Sequence, residues 1–187
     1  SLPTSGKGGS SYFIESRMCG ILVIFDEKSG KLINIAREMS NLRHRGPDSS
    51  GVKHFTTYNG TTVVGHTRLQ IMGLVDGELE VDNNGEQPFL ASDENKDVLL
   101  AVNGEIFNYL ELKERYHDYK FNTTSDCEVI LPCMAEHGAY EAPKYIDGEF
   151  AYVAAVRFTS DEGKNVTQVV AARDPIGVVP LYMGTTK

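Results

Sequence analysis

Several classes of protein are excluded by what this 187-residue chain has little of. It carries three cysteines, Cys19, Cys127 and Cys133. An odd number cannot all pair, and their placement forms no disulfide framework. No apolar run approaches the length of a membrane-spanning helix, and no secretory leader is in view. Basic residues are scarce: 18 Lys and Arg against 26 Asp and Glu leave a formal charge of −8. Apart from Arg43-His44-Arg45 they are scattered, which argues against a nucleic-acid or anionic-membrane surface. The five histidines have no spacing that suggests a metal site. A reducing, cytoplasmic setting is therefore expected, and the Asn-x-Ser/Thr triplets at Asn59, Asn122 and Asn165 read as chance. What remains is an ordinary globular composition, 41% hydrophobic and 24% charged, enough for one domain with a substantial core.

Residues 1–17 are rich in Ser and Gly without a sustained period. They read as a flexible extension, whether a tag, a cleaved leader or a misplaced start; Met18 is favoured as the natural start, and 18–187 is the domain proper. Residues 19–25 form a continuous apolar run, which predicts a buried strand. Leu32, Ile35, Ala36, Met39 and Leu42 recur at helical spacing. Residues 52–58 and 61–69 flank Asn59-Gly60, a strong hairpin signal. Residues 98–102 predict another strand, ending at Asn103-Gly104. A short helix is predicted over 109–116. Another opens at Ser125, whose spacing from Glu128 fits a capping box, and Pro132 inside it predicts a kink. Residues 139–146 read as one more short helix, 150–158 and 166–173 as a second hairpin, and 181–184 as a last strand. Strands at both ends with helices between predict antiparallel sheets with helices on their outer faces.

A lone cysteine opening an apolar run is ordinarily a buried strand residue. Cys19 gains chemical interest from the loops that accompany it, each combining glycine with charged or amide residues beside a strand. These are Arg45-Gly46-Pro47-Asp48, His66-Thr67-Arg68-Leu69, Asn103-Gly104-Glu105, Ser125-Asp126 and Arg173-Asp174-Pro175. Singly, each reads as a turn, a surface charge or a favourable charge at a helix start.

Together the segments MCGI (18–21), RHRGPDSSG (43–51), GHTRLQI (65–71), GEQP (85–88), VNGEIFN (102–108), SDCEVI (125–130), DGEFAYV (147–153) and ARDPIGVVPLY (172–182) follow a known order. From Met18 to its end the chain resembles the glutaminase domain of glutamine-dependent asparagine synthetase, a class II (N-terminal nucleophile) glutamine amidotransferase. The resemblance implies an α+β fold, a four-layer αββα sandwich of two antiparallel sheets. It implies that Cys19 attacks the side-chain amide of L-glutamine, using its own α-amine as base. Such an amine titrates at about 7.7–8.0 and needs no histidine. Asn103 and Gly104 would form the oxyanion hole. Arg68 would pair with the substrate carboxylate and Asp126 with its ammonium. Glu105 would lie beside them, and Leu69, Gln70, Ile71 and Met72 would line the wall. Arg45, Gly46, Asp48, Arg173 and Asp174 would be structural supports. Cys127 has no assigned chemistry, and Cys133 reads as a core residue.

Two features depart from the family pattern. While Cys19 follows Met18 its amine is an amide nitrogen without basicity, so the implied chemistry needs a cut between the two. No pyrophosphatase loop and no Walker motif is present; Gly6-Lys7-Gly8-Gly9 is too short and precedes no helix. No cofactor is therefore expected in this domain, and ATP and Mg2+ only in a synthetase domain outside it. The implied partners are L-glutamine and that C-terminal synthetase domain or subunit, with homodimerisation one arrangement of the full-length protein. A glutaminase serving another acceptor, and a non-catalytic glutamine-binding or regulatory domain, stay open as alternatives.

Overall fold

Two antiparallel sheets stack face to face in the computed structural model, which describes residues 19–26, 34–69, 74–75, 78–79 and 85–184. The first sheet holds β1 (Gly20–Asp26), β2 (Ser49–Thr57) and β3 (Gly60–Arg68) in the order β1-β3-β2. Two-residue strands β4 (Leu74–Val75) and β5 (Glu78–Leu79) pair with each other. The second sheet runs β6 (Phe89–Ser92), β7 (Lys96–Ile106), β8 (Gly148–Thr159) and β9 (Asn165–Arg173), each beside the next. The helices are α1 (Ile35–Leu42), α2 (Tyr109–Arg115) and α3 (Ile130–His137), with 3-10 turns at Asp126–Val129 and Ala142–Tyr145.

Period-two alternation on β7 and β8 divides the interior. Leu99 and Ala101 of β7 and Ala155 of β8 face the first sheet and pack with Phe55, Val64, Ile21 and Val23. The alternating residues Val98, Leu100, Val102, Phe150 and Tyr152 turn to the opposite face. There they pack against Leu112 of α2 and Ile130 and Met134 of α3. Leu99 and Leu100, 1% and 0% exposed, thus serve separate cores, each burial stabilising by about 1.5–3 kcal/mol. On the far side α1 contacts β1 and β3 and buries Met39. The layers run α, β, β, α, and the class is α+β.

Several local expectations are corrected. β1 is a half-buried edge strand among the described residues: Ile21, Leu22, Val23 and Ile24 are partly exposed, and β3 is the one described strand that pairs with it. The first hairpin pairs Thr57 with Gly60, so its turn is Tyr58-Asn59. Asn59 is spent on the other sheet, where its Oδ1 accepts from Thr167 N–H at 2.9 Å and its Nδ2 donates to Thr167 O at 2.8 Å. β7 continues through Asn103-Gly104 because β8 pairs with it as far as Ile106. The segment opening at Ser125 is a 3-10 turn before α3 begins at Ile130, which puts Pro132 in the first turn of α3, where its missing N–H costs nothing. Only 142–145 of the expected 139–146 helix forms, as a 3-10 turn, and 181–184 form no strand. Leu32 and residues 1–17 lie outside the described residues.

Candidate active site

The site begins with an unfinished sheet edge. β6 pairs with β7 only from Phe89, opposite Leu100, onward, so among the described residues the end of β7 has no strand on that side. Phe107 N–H donates to Asp147 O at 2.7 Å, so odd-numbered residues of β7 bond β8. The N–H groups of Val102, Gly104 and Ile106 therefore point to the open edge. Side chains take the two outer ones: Gln87 Oε1 accepts from Val102 N–H at 2.6 Å, and Asp126 Oδ2 from Ile106 N–H at 2.7 Å. Gly104 lies between them. Its φ is +147°, and a Cβ there would sit 2.1 Å from Glu149 O, so glycine is required.

Cys19 faces this edge from the first sheet. β1 and β3 pair Gly20 with Thr67, which brings the residues after β3 beside the cysteine. Leu69 N–H donates to Cys19 Sγ at 3.3 Å, and Sγ lies 3.7 Å from Leu69 O. Burial pushes the Cys19 thiol above its ordinary value; the Leu69 hydrogen bond and the charges of Arg68 and Arg45 offset part of this. The 45–48 loop braces the same corner. Asp48 N–H donates to Arg68 O at 3.1 Å, and Gly46 lies against the backbone of Thr67 and Arg68.

Residues 122–127 supply the third wall. Glu128, 1% exposed, does not close a capping box. Its carboxylate instead accepts from Asn122 N–H, Thr123 N–H and Thr123 Oγ–H at 2.8, 2.7 and 2.6 Å, fixing the loop before Asp126. Ser125 Oγ caps the 3-10 turn by accepting from Cys127 N–H at 3.3 Å. Asp126 is buried. Burial raises the Cys127 thiol well above its ordinary value, and its Sγ donates to Gly104 O at 3.6 Å.

These walls enclose a cleft of about 120 Å³ among the described residues. That is well below the roughly 300–1,000 Å³ of drug-sized pockets, so it suits a small ligand. Cys19, Arg68, Leu69, Gly104, Glu105 and Asp126 all line it. A thiol thus shares one small cleft with a guanidinium and two carboxylates, an arrangement able to hold a zwitterion beside a nucleophile. Asn103 does not line it; by strand alternation it is buried on the β7 face of Leu99 and Ala101, opposite Ala151. Gln70, Ile71 and Met72 lie outside the described residues. Arg173 and Asp174 sit away from the cleft lining, and Asp174 accepts from the N–H groups of Ile176, Gly177, Val178 and Val179.

Sequence reasoning gave no site role to Gly85, Gln87, Ser125 and Cys127, which also line the cleft. Gly85, at φ +104°, lets the chain pass against Arg68, whose Nη2 would be 2.9 Å from an added Cβ. Its motif, Gly85-Glu86-Gln87-Pro88, was visible in the sequence but suggested no chemistry by itself.

The profile of the glutamine amidotransferase domain family matches residues 18–187. The chain belongs to that family. As an amidotransferase domain it is similar to glutamine-hydrolysing asparagine synthetase 1 of Saccharomyces cerevisiae, 39% identical over 172 residues, covering 89% of this chain and 26% of that protein. It is 41% identical over 174 residues to a probable glutamine-hydrolysing asparagine synthetase of Schizosaccharomyces pombe, covering 89% and 27%. For the corresponding Dictyostelium discoideum protein the figures are 40% over 176 residues, 91% and 28%. The amidotransferase domain thus spans about a quarter of the length of the curated relatives it matches. Among solved structures, a glutamine phosphoribosylpyrophosphate amidotransferase from B. subtilis aligns with TM-score 0.47 and 16% identity, over 72% of this chain and 45% of that one. The fold assignment rests on the strand pairing and layering above. No helix among the described residues is long and apolar enough to cross a membrane.

Proposed function

We propose that this domain hydrolyses L-glutamine to L-glutamate and ammonia through a thioester on Cys19. The observation that carries the reading is the convergence of Cys19, Arg68, Gly104 and Asp126 on one amino-acid-sized cleft. Arg68 pairs with the α-carboxylate of glutamine through a charge-assisted contact. Asp126 holds the α-ammonium, with Glu105 beside it. The side-chain amide then reaches Cys19 Sγ.

Attack forms the S–C bond and moves the carbonyl electron pair onto oxygen. The Cys19 α-amine takes the thiol proton and gives it to the departing nitrogen as the C–N bond breaks, releasing ammonia. Gly104 N–H and Asn103 Nδ2 stabilise the oxyanion, a contact of about 2.7–4 kcal/mol per donor in comparable sites. Asn103 lies on the β7 face toward the first sheet, the sheet that carries Cys19. Water, deprotonated by the same amine, then attacks the thioester; the S–C bond breaks and glutamate leaves. The amine exists only once the peptide bond between Met18 and Cys19 is cut.

The ammonia serves an asparagine synthetase activity, in keeping with the names of the relatives. ATP and Mg2+ act in the part of that longer protein outside this chain, and the cytoplasm is its compartment. The test is glutamate release from glutamine, with intact mass, on the chain as it stands and on the chain cleaved after Met18. Turnover confined to the cleaved form supports the free-amine mechanism. No turnover in either form rules out autonomous glutaminase activity and leaves a binding role.

A further inference from the structure

Both backbone polar groups of Val102 are held by side chains from outside its own sheet ladder. Val102 N–H donates to Gln87 Oε1 at 2.6 Å, and Val102 O accepts from His66 Nε2 at 3.1 Å. Neither side chain belongs to β7 or its neighbours in the sheet. His66 reaches across from β3, and Gln87 from the segment before β6. His66 is 1% exposed, and burial holds its pKa down to about 4; the hydrogen bond to the Val102 carbonyl opposes this in part, and the smaller effect of the Arg68 charge adds to it. The ring is neutral near pH 7. A carbonyl can only accept, which assigns the ring proton to Nε2.

The Val102 carbonyl and the Asn103 N–H belong to one planar peptide. Between that plane and the next N–H, that of Gly104, lie only the two soft dihedrals of Asn103. Two residues further on, Asp126 holds Ile106 N–H. Gly104 has no Cβ to restrict its own dihedrals, and the β8 ladder holds this part of β7 from one side only. A regular strand beside Val102 would hold the edge equally well, but would continue over Gly104 and fill the cleft. Two side chains restrain Val102 and leave the next edge N–H open.

We propose that Gln87 and His66 are positioning residues that set the Gly104 N–H, and with it the Asn103 side chain, where the oxyanion of the glutamine intermediate forms. The proposal rests on the glutaminase reading above. His66 acts through Val102 alone. Gln87 borders the cleft, but its function here is exerted through its Oε1, which faces the backbone.

The test uses the chain cleaved after Met18. It measures glutamate release and inhibition by L-glutamate γ-semialdehyde, an aldehyde that a thiol converts to a hemithioacetal whose oxygen occupies the oxyanion position. His66→Leu and Gln87→Met are each expected to lower kcat roughly 10- to 100-fold, with KM for glutamine within about threefold. The semialdehyde inhibition constant rises by the factor that kcat falls, while inhibition by the product glutamate is unchanged. His66→Gln, which restores a donor N–H, recovers most of the lost kcat.

The proposal is overturned if semialdehyde and glutamate weaken together, if both variants keep full kcat, or if His66→Gln is no better than His66→Leu. Thermal melts identify a variant that does not fold, and the other residue then carries the test. A wild-type chain that neither releases glutamate nor binds the semialdehyde overturns the glutaminase reading itself, an outcome distinct from active wild type with indifferent variants.

Discussion

Substituting Asp126 separates its charge from its place in the backbone. Oδ2 accepts from Ile106 N–H at 2.7 Å, a strong bond. Oδ1 receives a 3.5 Å approach from Ser125 Oγ, at the limit of a hydrogen bond, and is the oxygen more open to a cleft ligand. Asp126→Asn keeps a carbonyl oxygen for Ile106 and removes the charge. A hydrogen bond to a charged group is worth about 1.5–3 kcal/mol, so kcat/KM for glutamine should fall roughly 10- to 150-fold. The ammonium is remote from the reacting carbon and is bound alike before and at the transition state, so the loss falls on KM and leaves kcat nearly unchanged. Asp126→Ala also orphans Ile106 N–H, 0% exposed as a residue, and should cost about 1–3 kcal/mol of folding stability beyond the Asn variant. Steady-state glutamate release across glutamine concentrations measures the first effect, and urea unfolding the second. An Asp126→Asn enzyme with KM within about twofold of wild type, or with its loss confined to kcat, refutes the assignment of this carboxylate to the ammonium.

Burial raises the Cys19 thiol, so iodoacetamide labelling of folded chain should rise with pH to a midpoint above about 8.5, read by peptide mapping. A midpoint below about 8 contradicts the burial argument. His66 titrates near 4 when folded against 6.5 unfolded, so as pH falls through that window the unfolded state gains a proton the folded state refuses. Stability therefore drops by roughly 3 kcal/mol on that account between pH 6.5 and 4, fully retained above and fully lost below. His66→Gln should flatten the slope of unfolding free energy against pH in that window, and an unchanged slope assigns the dependence elsewhere. Glu128→Ala orphans the Thr123 donors and loosens the loop before Asp126. It should lower stability by about 2 kcal/mol and raise KM for glutamine, and a variant as stable as wild type shows that the loop holds itself.

The elements legible in the sequence are those whose signal is local. The helical spacing from Ile35 to Leu42 and the paired apolar runs of β8 and β9 reappear because each residue's face is set by its own backbone period. Asn103-Gly104 misled for the same reason. The dipeptide reads locally as a turn, but β8 pairs with it along its length and carries it as strand. Glu128 has capping-box spacing from Ser125, yet the donors of Asn122 and Thr123 lie nearer its carboxylate once the loop folds back over the 3-10 turn.

By itself the sequence determined the residue types the site requires: a cysteine at a strand start, an arginine at a strand end, a glycine beside an asparagine, and an aspartate at a helical turn. Their order along the chain carried the family resemblance, because chemistry depends on side-chain identity, which folding does not alter. Only the tertiary structure decided that these residues share one cleft, that Asn103 is buried outside its lining, and that Gln87 and His66 hold Val102. Those contacts join residues 15 and 36 positions apart in the chain. A hydrogen bond closes within about 3 Å, a scale that no local period specifies and that the packing of two sheets supplies.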